Sequence, residues 1–408
     1  MTRRSGRYTE LLEAAREAAA EVDERAGGIQ GRIERLLGRL AEDPRYLLDR
    51  VVREPRNVVL EMTLKCNLRC RHCGSAAGRA RPAELTGDQW LALSDDLAAL
   101  GTRVVTLLGG EPLLSPHWET VARRLADNGI WVNAITNGWT LNNPLVADRV
   151  AASELRSLGL SIDGIPETHD DLRRREGSFA RIDEGISMLH ERGFHELSAI
   201  TCVTRANLSQ LPWLHEFLTS RRVKRWRLQI CVPEGRMSRS DPVVLRPSDL
   251  PRLVAFIREY RNRSDLGVGT ADNVGYFGGC EDVTRHRHGQ QRFWTGCSAG
   301  LQTLGVTSDG GVLGCLSFPA EPPWIEGYVT ERPLAEIWND ESAFAYNRRF
   351  TRDQLSGGCA DCRYALLCRG GCLSSNLGYT GKVGENPYCL ERVSSDDDYQ
   401  PPASSSGA

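Results

Sequence analysis

No stretch of this 408-residue chain stays apolar for the ~18–20 residues that a bilayer-spanning helix needs, so a membrane span is excluded. Charge of one sign is also missing. The chain has 51 basic against 53 acidic residues and a formal net charge of −2, which excludes a dedicated nucleic-acid binder with a strongly basic field. The pair Arg3-Arg4 is followed by Tyr8-Thr9-Glu10 where an exported protein would carry an apolar core, so a cytoplasmic location is expected. Internal repeats are absent. What is present, 40% hydrophobic and 25% charged residues, is the make-up of a globular enzyme with two or three domains.

Cysteine is plentiful. Of the 13, three fall at Cys66, Cys70 and Cys73, seven between Cys297 and Cys389, and Cys202, Cys231 and Cys280 stand apart. A reducing cytosol disfavours disulfides, and clustering of this kind points to metal. Cys202 and Cys231 fall inside apolar strand patterns and read as inert core thiols.

Residues 1–55 are rich in Ala, Glu, Arg and Leu, with Leu11, Leu12, Ala15 and Ala19 at helical spacing and a break expected at Gly27-Gly28. This helical extension shows no mixed helix-and-strand pattern. From about residue 57 strands alternate with helices: Val58–Met62, Val104–Leu108, Trp131–Ile135, Leu155–Ile162, Leu197–Val203 and Trp226–Cys231 read as strands. Six strands with helical crossovers predict a parallel α/β sheet over residues 56–265, open or curled into part of a barrel, with ligands at the strands' C-terminal ends. Residues 266–295 read as a connecting segment. Residues 296–392 are turn-rich and crowded with cysteine, which suits stabilisation by metal clusters, and residues 393–408 form an acidic, then Pro/Ser-rich tail expected to be disordered.

Directly after the first strand comes Cys66-Asn67-Leu68-Arg69-Cys70-Arg71-His72-Cys73, a C-x3-C-x2-C spacing. Structural zinc takes four protein ligands, and a four-iron cubane normally takes four cysteines, so three thiolates leave one iron open. A zinc loop borrowing a distant ligand is the other reading. This loop, placed after the first strand of an α/β barrel, resembles the signature of the radical S-adenosylmethionine (SAM) superfamily. The resemblance covers about residues 56–265 and implies a partial (β/α)6 TIM-like barrel. Gly109-Gly110-Glu111-Pro112 is similar to the family's GGEP motif, which holds the amino group of SAM. Glycines allow close approach, and carbonyls plus Glu111 offer acceptors to an ammonium. Ser161-Ile162-Asp163-Gly164 resembles the serine–aspartate strand that contacts SAM. Arg173 is the choice for the methionine carboxylate, with Arg174 and Arg175 as rivals. Asn137, in Thr136-Asn137-Gly138, is placed to line the same pocket or to form a turn. His72 stands where the family usually has an aromatic residue.

Cys297, Cys315, the run Cys359-x2-Cys362-x5-Cys368-x3-Cys372 and the later Cys389 resemble the SPASM extension, which implies two auxiliary [4Fe–4S] clusters. By position, Cys359, Cys362, Cys368 and Cys389 would hold one, and Cys297, Cys315 and Cys372 the other. Cys280, after Gly278-Gly279, is the candidate for the missing fourth ligand. His286 and His288 compete for that place, and a free thiol is the bland alternative. The resemblance implies SAM cleavage to a 5′-deoxyadenosyl radical that abstracts hydrogen, with electrons from a donor such as flavodoxin or ferredoxin. It further implies a peptide or protein substrate, foremost a ribosomally made precursor that gains a cross-link, and because residues 1–55 lack the pattern of the peptide-recognition module fused to some of these enzymes, leader binding would use a separate protein or the barrel surface. Activation of a partner enzyme (sulfatase formylglycine or quinohemoprotein type), peptide epimerisation and small-molecule dehydrogenation are the alternatives; a non-enzymatic electron carrier is the reading from another class. No catalytic acid or base stands out.

Overall fold

The strand–helix alternation that begins at residue 57 builds a single sheet. The computed structural model describes residues 28–42, 53–285 and 292–393. The expected first helix around Leu11 to Ala19, the histidines His286 and His288, and the tail from Ser394 lie outside the described residues. The strands are β1 (Asn57–Glu61), β2 (Val104–Leu108), β3 (Trp131–Thr136), β4 (Ser157–Ser161), β5 (Leu197–Val203), β6 (Arg225–Ile230), β7 (Gly267–Thr270), β8 (Thr303–Val306), β9 (Gly311–Leu313) and β10 (Gly327–Tyr328). Their order is β10-β9-β8-β1-β2-β3-β4-β5-β6-β7. Pairing is parallel from β8 through to β7, and only β9 and β10 join antiparallel. The outermost strands do not pair with each other, so the barrel is partial.

Helices cover the sheet because each crossover carries an apolar face. Helix Gly87–Ala99 starts at a capping box in which Thr86 and Gln89 bond each other's backbone, and it buries Trp90, Leu93 and Leu97. Helix Trp118–Asp127 buries Trp118, Val121, Ala122 and Leu125. These side chains join Val58, Leu60, Val105, Leu107 and Val132 of the strands in one core. Fully burying each large apolar side chain stabilises by about 1.5–3 kcal/mol. The helix Gly28–Glu42 packs elsewhere: Ile33 and Leu40 join Tyr364 and Leu367 of the cysteine-rich region in a second core.

Two sequence expectations change. The segment 266–295, read as a connector, supplies β7, and the cysteine-rich region supplies β8, β9 and β10 on the far side of β1. Strands this short, one of them Gly267-Val268-Gly269-Thr270, hold too few apolar residues to show a period-2 pattern.

Candidate functional site

Parallel strands aim their C-terminal ends the same way, and here they meet around a cavity of about 950 Å³. Glu61, Leu108, Thr136, Ser161, Cys202 and Gln229 come from β1 to β6 in turn, and six successive strands can line one cavity only if the sheet curves. Cys66, Cys70 and Cys73 line it as well. Cys315, Phe318 and Trp324 of the cysteine-rich region contribute to the same cavity.

The cysteine loop is held against β2 by the two glycines. Gly110 N–H donates to the Thr63 carbonyl at 2.8 Å, and Glu111 N–H to the Lys65 carbonyl at 2.9 Å. A Cβ at Gly109 would fall on the Thr63 oxygen, and one at Gly110 on the oxygens of Leu64 and Lys65. The glycines thus serve backbone-to-backbone docking, while still lining the cavity. Glu111 departs from its expected place among the acceptors for an ammonium. Its fully buried carboxylate accepts from Thr136 Oγ1 at 2.7 Å, from Leu113 N–H at 3.2 Å and from Asn137 N–H at 2.8 Å. Neither Glu111 nor Pro112 lines the cavity. Burial pushes the Glu111 carboxyl up to about 7, against the pull of those three donors. Its role is to pin the end of β3, so that Asn137 Nδ2 reaches Asn67 Oδ1 at 2.7 Å and lies 3.7 Å from Cys66 Sγ.

Asp163 is the electrostatic hub. Its buried carboxylate pairs with Arg173 at 2.5 Å and with His72 Nε2 at 3.1 Å, and accepts from Cys202 N–H at 2.9 Å. Burial alone would raise its pKa; Arg173 and then His72 outweigh that and hold it below the usual carboxylate range. Arg173 also places Nη1 3.8 Å from Cys70 Sγ. Its rivals Arg174 and Arg175 are exposed and do not line this cavity; Arg175 stacks over Trp139 instead. His72 is tied to Asp163, which fixes its ring at the cavity wall.

The remaining cysteines gather in two groups. Burial, then Cys372 and Cys315, raises the Cys297 thiol, and Cys372 acts likewise on Cys315. Cys368 is raised by burial and then by Cys389, Cys359 and Cys362. Tyr276 sits between the groups: its hydroxyl accepts from Cys372 N–H at 2.8 Å, and its carbonyl lies 3.7 Å from Cys389 Sγ. Cys280, the candidate extra ligand, is elsewhere. Its thiol donates to the Gly278 carbonyl at 3.4 Å and faces Arg258 at 3.6 Å, and no cysteine acts on it. The left-handed turn at Gly278 and Gly279 packs on Leu390 and sends the thiol toward helix Leu250–Tyr260. Cys202, read as inert core, lines the cavity, and its neighbour Cys231 turns its own thiol to Met237 Sδ at 3.4 Å. Only the curvature of β5 and β6 reveals this; both residues sit in apolar runs.

The donors present suit iron–sulfur clusters and SAM. Thiols raised by burial, such as Cys66 at about 11, ionise readily only on binding metal, and Leu68 N–H at 3.4 Å and Ser75 Oγ at 3.6 Å can hydrogen-bond to the sulfurs of Cys66 and Cys73. Comparisons agree. Residues 60–218 match the radical SAM superfamily and residues 297–363 the SPASM iron–sulfur cluster-binding domain. An AdoMet-dependent heme synthase of Methanosarcina barkeri strain Fusaro is 32% identical over 350 residues, 83% of this chain and 97% of the relative. The mycofactocin maturase MftC of Mycobacterium ulcerans is 28% identical over 335 residues, covering 81% of this chain and 86% of MftC. The crystal structure of Streptococcus suis SuiB bound to S-adenosylmethionine shares the fold, with TM-score 0.67, 18% identity, and coverage of 95% of this chain and 87% of SuiB. The chain therefore belongs to the radical SAM superfamily, as an enzyme with a SPASM domain, and its cofactors are S-adenosylmethionine and [4Fe–4S] clusters.

Proposed function

We propose that the enzyme is a peptide maturase that removes hydrogen from a ribosomally made precursor and leaves a cross-link. The observation that carries this reading is the cavity itself. The three-thiol loop forms one wall, and Cys315 with Phe318 and Trp324 forms another, so a side chain inserted between them lies near both a radical source and an electron acceptor. Cys66, Cys70 and Cys73 would hold the SAM cluster, with Gly109, Gly110, Asn137, Ser161 and Arg173 around SAM. Cys359, Cys362, Cys368 and Cys389 would hold one auxiliary cluster, and Cys297, Cys315 and Cys372 the other. When bound, the SAM cluster and SAM supply a 5′-deoxyadenosyl radical. Arg173, held by Asp163, orients a carboxylate in the cavity, Asn137 stays fixed by Glu111, and the apolar Phe318–Trp324 edge excludes water from the reacting carbon. A small electron carrier of the flavodoxin or ferredoxin kind would reduce the protein. Support from relatives comes from MftC, named as a maturase, and from SuiB, whose structure is known with the precursor peptide SuiA.

A second reading has its own support. The heme synthase relative is matched along nearly its whole length, and Arg227 lines the cavity, where a guanidinium would suit a carboxylate of a porphyrin. One anaerobic experiment separates the two. The reduced enzyme with SAM is offered the peptide encoded by a short reading frame beside its gene, or Fe-coproporphyrin III. Loss of two hydrogens from the peptide supports the maturase; a peptide mass unchanged in H2O but raised by one deuterium in D2O means epimerisation; turnover of the porphyrin alone replaces the peptide reading.

A further inference from the structure

Glu234 lies in the segment Pro233-Glu234-Gly235-Arg236 that follows β6, and it lines the cavity. Other carboxylates there are engaged or outward-facing. Glu61 pairs with Arg81 at 2.6 Å, Asp163 with Arg173, and Glu321 is exposed. Glu234 is half-buried, and burial raises its carboxyl.

The surrounding backbone makes room for this carboxylate. A Cβ at Gly74, next to Cys73, would stand 3.7 Å from its Oε2, and a Cβ at Gly378 would press on its Oε1 at 2.6 Å. Glu234 therefore sits where the barrel's cysteine loop meets helix Leu373–Thr380 of the cysteine-rich region. Charged groups on those elements are committed elsewhere. Arg236 donates to the Cys70 and Ala77 carbonyls, both at 2.9 Å; Arg239 donates to the Gly378 and Leu377 carbonyls at 2.7 and 3.0 Å. Arg71 pairs with Asp241 at 2.8 Å, Arg69 reaches the Ala77 carbonyl at 3.4 Å, and helix Leu373–Thr380 carries no charge.

We propose that Glu234 is a catalytic residue, the proton acceptor of the reaction. The proposal rests on reading the cavity as the place where a substrate C–H bond is oxidised. The hydrogen atom of that bond leaves to the SAM-derived radical. The substrate radical then forms its new bond by releasing one electron and one proton. A cluster held by Cys297, Cys315 and Cys372 would take up the electron, and Glu234 takes the proton from the group that becomes bonded. Burial raises its carboxyl to about 7, which suits a base that must also release the proton between turnovers.

The test compares the holoenzyme with its Glu234→Gln and Glu234→Asp variants. The substrates are the neighbouring-frame peptide and Fe-coproporphyrin III, both fully deuterated. Deuterium in 5′-deoxyadenosine reports hydrogen abstraction, and product per deoxyadenosine reports the later steps. Glu234→Gln should keep the label transfer yet lower product per deoxyadenosine by about 100-fold, with Glu234→Asp recovering part of it. Unchanged coupling in the Gln variant overturns the proposal. Loss of label transfer with SAM cleavage intact also overturns it, because Glu234 would then be holding the substrate. If neither substrate labels deoxyadenosine in the wild type, the functional reading fails separately, and infrared spectra of the holoenzyme decide on Glu234. A protonated-carboxyl band present at about pH 6, gone by about pH 9 and missing from Glu234→Gln supports the role; its absence from the wild type overturns it.

Discussion

At the residue scale the strongest electrostatic commitment is the Asp163 triangle. Removing Arg173 leaves a buried carboxylate without its guanidinium partner, so Arg173→Met should destabilise the protein by about 3–5 kcal/mol in denaturant unfolding. Adding Asp163→Asn to that variant should restore much of the loss, since the uncompensated charge is gone. The pH dependence has a definite sign. The folded pKa of Asp163 is depressed, so its contribution is complete above the unfolded value near ~4 and is lost as pH falls below it. Acid unfolding of the wild type should therefore steepen below about pH 4, and the double variant should lack that component. Equal acid sensitivity in both would mean the pair stores no linkage energy. Cys280 provides the opposite kind of case. Its thiol faces Arg258 and no other cysteine, so Cys280→Ser should leave iron content and the reduced-cluster resonance spectrum unchanged. Loss of iron from that variant would make it a ligand after all.

Among the elements, the contact between β2 and the cysteine loop decides whether the loop keeps its shape. Gly110 has no space for a side chain beneath the Leu64 and Lys65 carbonyls, so Gly110→Ala must lift the loop. The expected outcome is at least a tenfold loss of SAM cleavage, about 1.4 kcal/mol or more, with the spectra of the auxiliary clusters retained. Wild-type cleavage in Gly110→Ala would show that the loop tolerates displacement. A second device lies at the other edge of β1. Glu61 is buried between Arg81 and Ser308, whose hydroxyl also bonds Glu84 at 3.0 Å, while Glu84 takes Thr63 Oγ1 at 2.9 Å. This network ties the start of the cysteine loop to the turn after β8. The motif residues were legible in the sequence, but their partners were not, because Ser308 lies 247 positions from Glu61.

For the whole molecule, the sheet joins what the cysteine pattern divides. β8 pairs with β1 through Asn57↔Thr303 to Leu60↔Val306, so the barrel borrows an edge strand from the cysteine-rich region. A chain ending at residue 295 would expose the unpaired edge of β1, a ready template for aggregation. Such a chain should be largely insoluble or fail to unfold cooperatively, whereas a soluble product that cleaves SAM would prove the barrel independent. The shared cavity gives the same coupling a chemical use, since Cys315 and the three-thiol loop line one space.

The sequence by itself determined the family, the cofactors and the first six strands. Those signals are local: a three-cysteine loop of eight residues, a Gly-Gly-Glu-Pro turn, and apolar periods long enough to register. The tertiary structure decided what depended on distance through space. It paired Arg173 with Asp163 while leaving Arg174 and Arg175 exposed, turned Glu111 away from the cavity toward Asn137, and placed Cys280 apart from the cysteine groups. It also brought Cys202 and Glu234 to the cavity wall. A side chain's neighbours across a sheet depend on curvature and on crossovers tens to hundreds of residues long, and no local pattern in the chain encodes them.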